Sequence, residues 1–162
     1  MSALDGPLPP HQPHCMGCGD QNPASLGLRM RRDGERIRAE VTFDRRQEGA
    51  PGFAHGGAVS AALDDTLGSV LVILRIPAVT ARLEVDFRHP ALLGRRFEIE
   101  AWPEGVEGRK LSLAAAMRDE GELIAQARAI FVQVELQHFL QGTAELPESW
   151  REEAKRAGFE LP

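Results

Sequence analysis

The stretch from Ala54 to Leu74, AHGGAVSAALDDTLGSVLVIL, runs without a proline and is apolar on nearly every helical face. It is too long for one strand and suits a helix of about five to six turns. A helix of that kind must be covered on most of its sides. Its neighbours in sequence have a different period. Ile37, Ala39, Val41 and Phe43 alternate with Arg38, Glu40, Thr42 and Asp44, as in a strand with one wet and one buried face. Leu26, Leu28 and Met30 alternate in the same way before the Asp33-Gly34 turn. The pattern returns at Leu83, Val85 and Phe87, at Phe97, Ile99 and Ala101, and at Leu111, Leu113, Ala115 and Met117. After the turn Asp119-Glu120-Gly121-Glu122, an apolar run from Leu123 to Leu136 reads as the last and longest strand. Connections of hairpin length imply antiparallel pairing. One buried helix and five to six antiparallel strands are reconciled in an α+β fold, a curved sheet wrapped around one long central helix. That arrangement is the hot-dog architecture.

The 162 residues, 43 % of them apolar, suffice for one domain. Residues 26–140 are expected to form it. Residues 1–25 read as an arm rich in proline (Pro7, Pro9, Pro10, Pro13) with a Cys-x-x-Cys turn, and the first fourteen of them are given no role in the fold. Residues 141–162 read as a tail with a short amphipathic or solvated helix between Pro147 and Phe159. A net charge of −5 supplies no basic field for phosphate polymers or anionic lipid, so neither nucleic acid nor membrane is an expected partner. No run reaches the roughly 18 to 20 uninterrupted apolar residues of a membrane span. The start Met-Ser-Ala-Leu-Asp lacks the basic-then-apolar order of a secretory signal, and a cytoplasmic location is expected.

Asp64 and Asp65 interrupt the apolar helix. Burying an unpaired carboxylate costs several kcal/mol or drives its pKa up, so each needs a partner or a task. They point about 100° apart, so at most one faces a given cleft. The helix begins at His55-Gly56-Gly57, and the first amides of a helix have no internal partner and carry partial positive charge. Two glycines can leave those amides open to a ligand oxygen, as in an oxyanion hole, or can simply ease a tight entry into the helix. Gly56 and Asp64 are separated by about 12 Å along the helix axis. A reacting carbonyl needs its donor and its activating group each at about 3 Å. Two antiparallel helices across a two-fold axis would bring Gly56 of one chain to Asp64 of the other, which favours a dimer with interface sites.

The stretch Glu48-Gly-Ala-Pro-Gly-Phe-Ala-His-Gly-Gly-Ala, followed by Asp64, resembles the hot-dog acyl-CoA thioesterases of the phenylacetate-pathway (PaaI-like) type. Within them it is most similar to the thioesterase-superfamily-member-4-like branch. The likeness continues through Thr80-Ala-Arg-Leu-Glu-Val-Asp-Phe-Arg-His-Pro and Val106-Glu-Gly-Arg-Lys, spanning most of residues 36 to 136. It implies hydrolysis of an acyl-CoA thioester to a carboxylic acid and free CoA by a homodimer or tetramer, with no cofactor beyond the CoA of the substrate. It implies Asp64 as general base or nucleophile and Thr80 as the hydroxyl that places water. Gly56 becomes the amide donor to the thioester oxygen, and His55 the residue that holds the loop, with Gly57 beside them. Gly108, Arg109 and Lys110, between two strands, are implied to meet the CoA phosphates or pantetheine, with Arg82 a weaker candidate. Many relatives carry a side-chain amide six residues before the histidine, where this chain has Gly49. Residues such as Phe53, Leu67, Leu71 and Phe87 are expected to set the depth of an acyl pocket.

Two other functions compete. A non-catalytic acyl-CoA binder would carry the same features without turnover. A hot-dog hydratase would place a histidine after the helical aspartate, and none follows within the helix. Cys15 and Cys18, with His14 beside them, could give three ligands to a metal, but a structural zinc site takes four and no second cysteine pair exists. A packed turn is the expected role of this segment, with no metal.

Overall fold

In the computed structural model, which describes residues 5–142 and 146–156, the proline-free run forms helix α1 (Gly56–Leu74). His55 caps it: Gly57 N–H donates to His55 Nδ1 at 2.9 Å, satisfying one of the donors that a helix start leaves over. The helix stops at Arg75, which takes a left-handed conformation and donates its N–H to the Leu71 carbonyl. Val59, Ala62, Leu63, Thr66, Leu67 and Val70 form the buried face. Thr66 causes no loss there, because its hydroxyl donates to the Ala62 carbonyl at 2.8 Å. The opposite stripe, Gly57, Ala61, Asp64, Gly68 and Val72, is exposed or half-buried. By length and composition α1 could cross a membrane, yet its apolar face packs on the sheet like that of any core helix.

Among the described residues the sheet has seven strands, one more than the upper expectation. They are β1 (Gly6–Leu8), β2 (Arg29–Asp33), β3 (Arg36–Thr42), β4 (Ala78–Phe87), β5 (Arg96–Glu107), β6 (Lys110–Asp119) and β7 (Glu122–Gln133). All pairings are antiparallel, in the order β1-β2-β3-β5-β6-β7-β4. The additional strand comes from the arm, which was expected to stand outside the fold: Pro7 pairs with Arg31 at the sheet edge, where a residue without N–H is tolerated. Cys15 and Cys18 of the same segment are buried in the core. In β3 the predicted alternation holds at every residue, with Ile37, Ala39 and Val41 inward. Phe43 follows, fully buried, its ring 5.7 Å from that of Phe97.

The hairpin-length connection between β4 and β5 does not join neighbours, since β4 lies beyond β7 at the far edge. Crossing three strand spacings takes about 14 Å, within reach of eight extended residues at about 26 Å. This crossing passes over the entrance of α1, where Ala54 N–H donates to the Ala91 carbonyl at 2.8 Å and Gly94 N–H to that of Phe43 at 2.9 Å. The last strand ends at Gln133, and Leu136–Gln141 forms a short 3-10 turn in place of its expected continuation. Helix α2 (Glu148–Arg156) lies within the predicted span; residues 157–162 lie outside the described ones. Its Trp150 donates the indole N–H to the His11 carbonyl at 2.8 Å and meets Phe139 edge-on at 5.0 Å. Arm and tail therefore touch.

Candidate functional site

Asp64 and Thr80 meet. Thr80 Oγ1 donates to Asp64 Oδ1 at 2.9 Å, linking the middle of α1 to the start of β4. Thr80 sits where the β4–β7 register skips a residue, a bulge between Thr80 and Arg82 that re-aims the strand. Burial pushes the Asp64 carboxyl above the ordinary aspartate range, and the Thr80 hydrogen bond partly opposes this by favouring the charged form. A carboxylate that is half-desolvated and held by one hydroxyl can accept a proton or attack an electrophile.

Gly56 lies elsewhere, at the other end of β4. A methyl group built on it would stand 3.4 Å from Phe87 Cζ, and on β4 Phe87 is about 20 Å from Thr80 at ordinary strand rise. His55 ties the entry loop together: its N–H donates to the Gln47 carbonyl at 2.7 Å and its Nδ1 takes the Gly57 N–H. The expectation of two open amides is thereby reduced to one. Gly57 N–H is occupied by His55, whereas Gly56 N–H has no partner among the described residues. Gly49, in place of a side-chain amide, has a steric reason, because a Cβ there would lie 2.9 Å from His55 Cα. Beside Gly56 opens a cavity of about 380 Å³ lined by Phe53, Ala54, Val59, Phe87, Ala91 and Ile124 among others. Of the residues expected to set pocket depth, Phe53 and Phe87 line it. Leu67 is instead wholly buried in the core, and Leu71 is half-buried against it.

Gly108 takes φ +59 at the tip of the β5–β6 hairpin, a conformation that favours glycine. Arg109 donates from Nε and Nη2 to the Gln133 carbonyl at 3.2 and 3.0 Å, beside an open hollow of about 470 Å³ that includes His138 and Gln141. Lys110 is exposed and has no partner among the described residues. Lys110 and Val79 both register with Val132, so the hairpin tip shares the Thr80 end of the sheet. Arg82 is exposed and ion-paired with Glu84.

A second cluster forms on the other side of α1. Asp65, turned from Asp64, meets His11, Cys15 and Cys18, whose ligand atoms with its own all lie within 4.8 Å of one another. His11 Nδ1 lies 3.2 Å from Cys18 Sγ, Cys15 Sγ 3.3 Å from Asp65 Oδ1, and His11 Nδ1 3.7 Å from Asp65 Oδ1. Burial and the neighbouring Cys15 sulfur push the Asp65 carboxyl up to about 6. Cys18 and His11 hold the Cys15 thiol down at about 3. Sequence reasoning named His14 here and missed His11 and Asp65. His11, four positions before Cys15, was a visible clue; Asp65, fifty positions after it, was not.

Residues 51–125 match the family described as Thioesterase superfamily. A curated relative, acyl-coenzyme A thioesterase THEM4 of Xenopus laevis, is 37 % identical over 89 residues, which are 54 % of this chain and 40 % of the relative. The chain thus spans well under two thirds of that relative's length. The crystal structure of a thioesterase superfamily protein matches with TM-score 0.71 at 24 % identity, over 74 % of this chain and 63 % of the other. A Streptococcus mutans protein solved bound to acetyl CoA matches with TM-score 0.63 at 16 % identity, over 66 % and 88 %. The core of this chain is thus a hot-dog sheet around a single long helix, and its residues 51–125 are similar to the thioesterase superfamily.

Proposed function

We propose that this protein is an acyl-CoA thioesterase whose site combines Asp64 and Thr80 of one chain with Gly56 of a second copy. The observation that carries the reading is the Thr80–Asp64 hydrogen bond at 2.9 Å around a carboxyl whose pKa burial has raised. Asp64 takes a proton from a water held by Thr80, and the hydroxide adds to the thioester carbonyl. Alternatively the carboxylate attacks first and water hydrolyses the resulting anhydride. In both routes negative charge collects on the carbonyl oxygen, where the Gly56 N–H, with the partial charge of the helix start behind it, stabilises it. Collapse expels the CoA thiolate, which takes up a proton. His55 contributes by occupying the Gly57 amide and fixing the loop, so that a single amide is presented. Arg109 and Lys110 supply positive charge for the CoA phosphates, and the acyl group enters the cavity at Phe53 and Phe87.

Two copies are invoked because the chain separates its own parts. Gly56 lies with Phe87 and Asp64 with Thr80, too far apart for one carbonyl. The half-covered stripe of α1 and the exposed edge of β4 offer the surfaces for a two-fold partner.

Thiol release measured across short, medium, long and aryl acyl-CoAs should show turnover on at least one class. Asp64→Asn should fold and self-associate as the parent does while kcat falls by about two to four orders of magnitude. Acyl-CoA binding without thiol release, or parental rates in Asp64→Asn, would replace this reading with a binding protein.

A further inference from the structure

We propose that His11, Cys15, Cys18 and Asp65 form a structural zinc site that clamps the N-terminal arm to the back of α1. A tetrahedron with bonds of about 2.0 to 2.3 Å, the lengths zinc makes to nitrogen, oxygen and sulfur, has edges of about 3.3 to 3.8 Å. Of the separations within the cluster, 3.3 and 3.7 Å fall on that scale and 3.2 Å just below it, and all four ligand atoms lie within 4.8 Å of one another, close enough to converge on one ion. Two sulfurs, an imidazole and a carboxylate complete four-coordination, with no position left for substrate, which marks a closed structural site.

Independent features of the packing suit a cation at this place. Asp65 turns Oδ1 to Cys15 and His11, while its Oδ2 is buried with no hydrogen-bond partner among the described residues, an expensive state for a carboxylate that a cation bound by the same group would relieve. The arm is pressed so close that a Cβ on Gly17 would come within 2.3 Å of Asp65 Oδ2, and one on Gly19 within 2.4 Å of the Cys15 nitrogen and the Pro13 carbonyl. Gly17 N–H points to Cys15 Sγ at 3.2 Å, an outer bond of the kind that steadies a metal-bound thiolate. His11 is supported in turn by Trp150, which holds its carbonyl at 2.8 Å and stands 6.4 Å from its ring. One cation would thus join the arm, the central helix and, through Trp150, α2.

Metal analysis of the intact chain, expressed with zinc and purified under reducing conditions, should find one zinc per chain. After chelation, cobalt added alone should give the visible bands of a tetrahedral ion with thiolate-to-metal charge transfer. His11→Ala, Cys18→Ser and Asp65→Asn should each weaken binding at least about tenfold, and His14→Ala should leave it unchanged. Should a variant fail to fold, the zinc content and cobalt spectrum of the parent chain remain decisive. Absence of stoichiometric zinc together with no tetrahedral cobalt spectrum overturns the proposal, as does a Cys15–Cys18 disulfide in the reduced preparation or loss of metal in His14→Ala but not in His11→Ala.

Discussion

Asp64 and Asp65 stand side by side in sequence and do different things because helical geometry turns them about 100° apart. Asp64 reaches Thr80; Asp65 faces the cysteine turn. If Asp64 works as the carboxylate, as proposed, burial raises its pKa and kcat/KM should fall on the acid side at a higher pH than an exposed aspartate would give. Thr80 donates to that carboxylate and favours its charged form. Thr80→Val should therefore move the acid limb of the pH profile to still higher pH as well as lower the plateau. A limb that stays in place in Thr80→Val would show that the hydroxyl does not tune Asp64. The sequence exposed both aspartates as anomalies in an apolar helix. Which of them met a hydroxyl and which met sulfur depended on contacts made by segments far along the chain.

At the scale of elements, α1 and β3 were the most legible parts, because each carries a long uninterrupted period of its own, 3.6 or 2, set by burial on one face. Three-residue β1 has no period to read, and it exists because β2 offers an edge. The hairpin joining β5 and β6 has a local signature in Gly108, and the proposed contact with CoA phosphates rests on the two cations that follow it. Arg109→Ala with Lys110→Ala should raise KM for acyl-CoA several-fold, about 1 kcal/mol of lost binding. Because the two cations are assigned to the CoA phosphates and neither is assigned to the thioester, kcat should change little. Steady-state kinetics with CoA thioesters against a short pantetheine thioester would check this, since the truncated substrate lacks most of the phosphate charge and should be insensitive to the pair.

The whole molecule is where the catalytic reading is most exposed to test. Gly56→Pro removes the Gly56 N–H while keeping the helix, because proline is tolerated at the first helical position and the preceding His55 is extended. Gly56→Pro and Asp64→Asn should each be inactive alone. After unfolding and refolding together in equal amounts, they should recover about one quarter of parental activity, since half the dimers are mixed and each mixed dimer holds one intact site of two. No recovery would place the site within one chain or discard the amide. The sequence by itself determined the central helix, the alternating strands and the positions at which chemistry was worth seeking, because period and local propensity are properties of neighbours in the chain. Only the tertiary structure decided that β4 lies at the far edge, that Gly57 is occupied by His55, and that His11 and Asp65 join the two cysteines. Those outcomes follow from the sheet curling around α1 and bringing together residues dozens of positions apart, which no local pattern records.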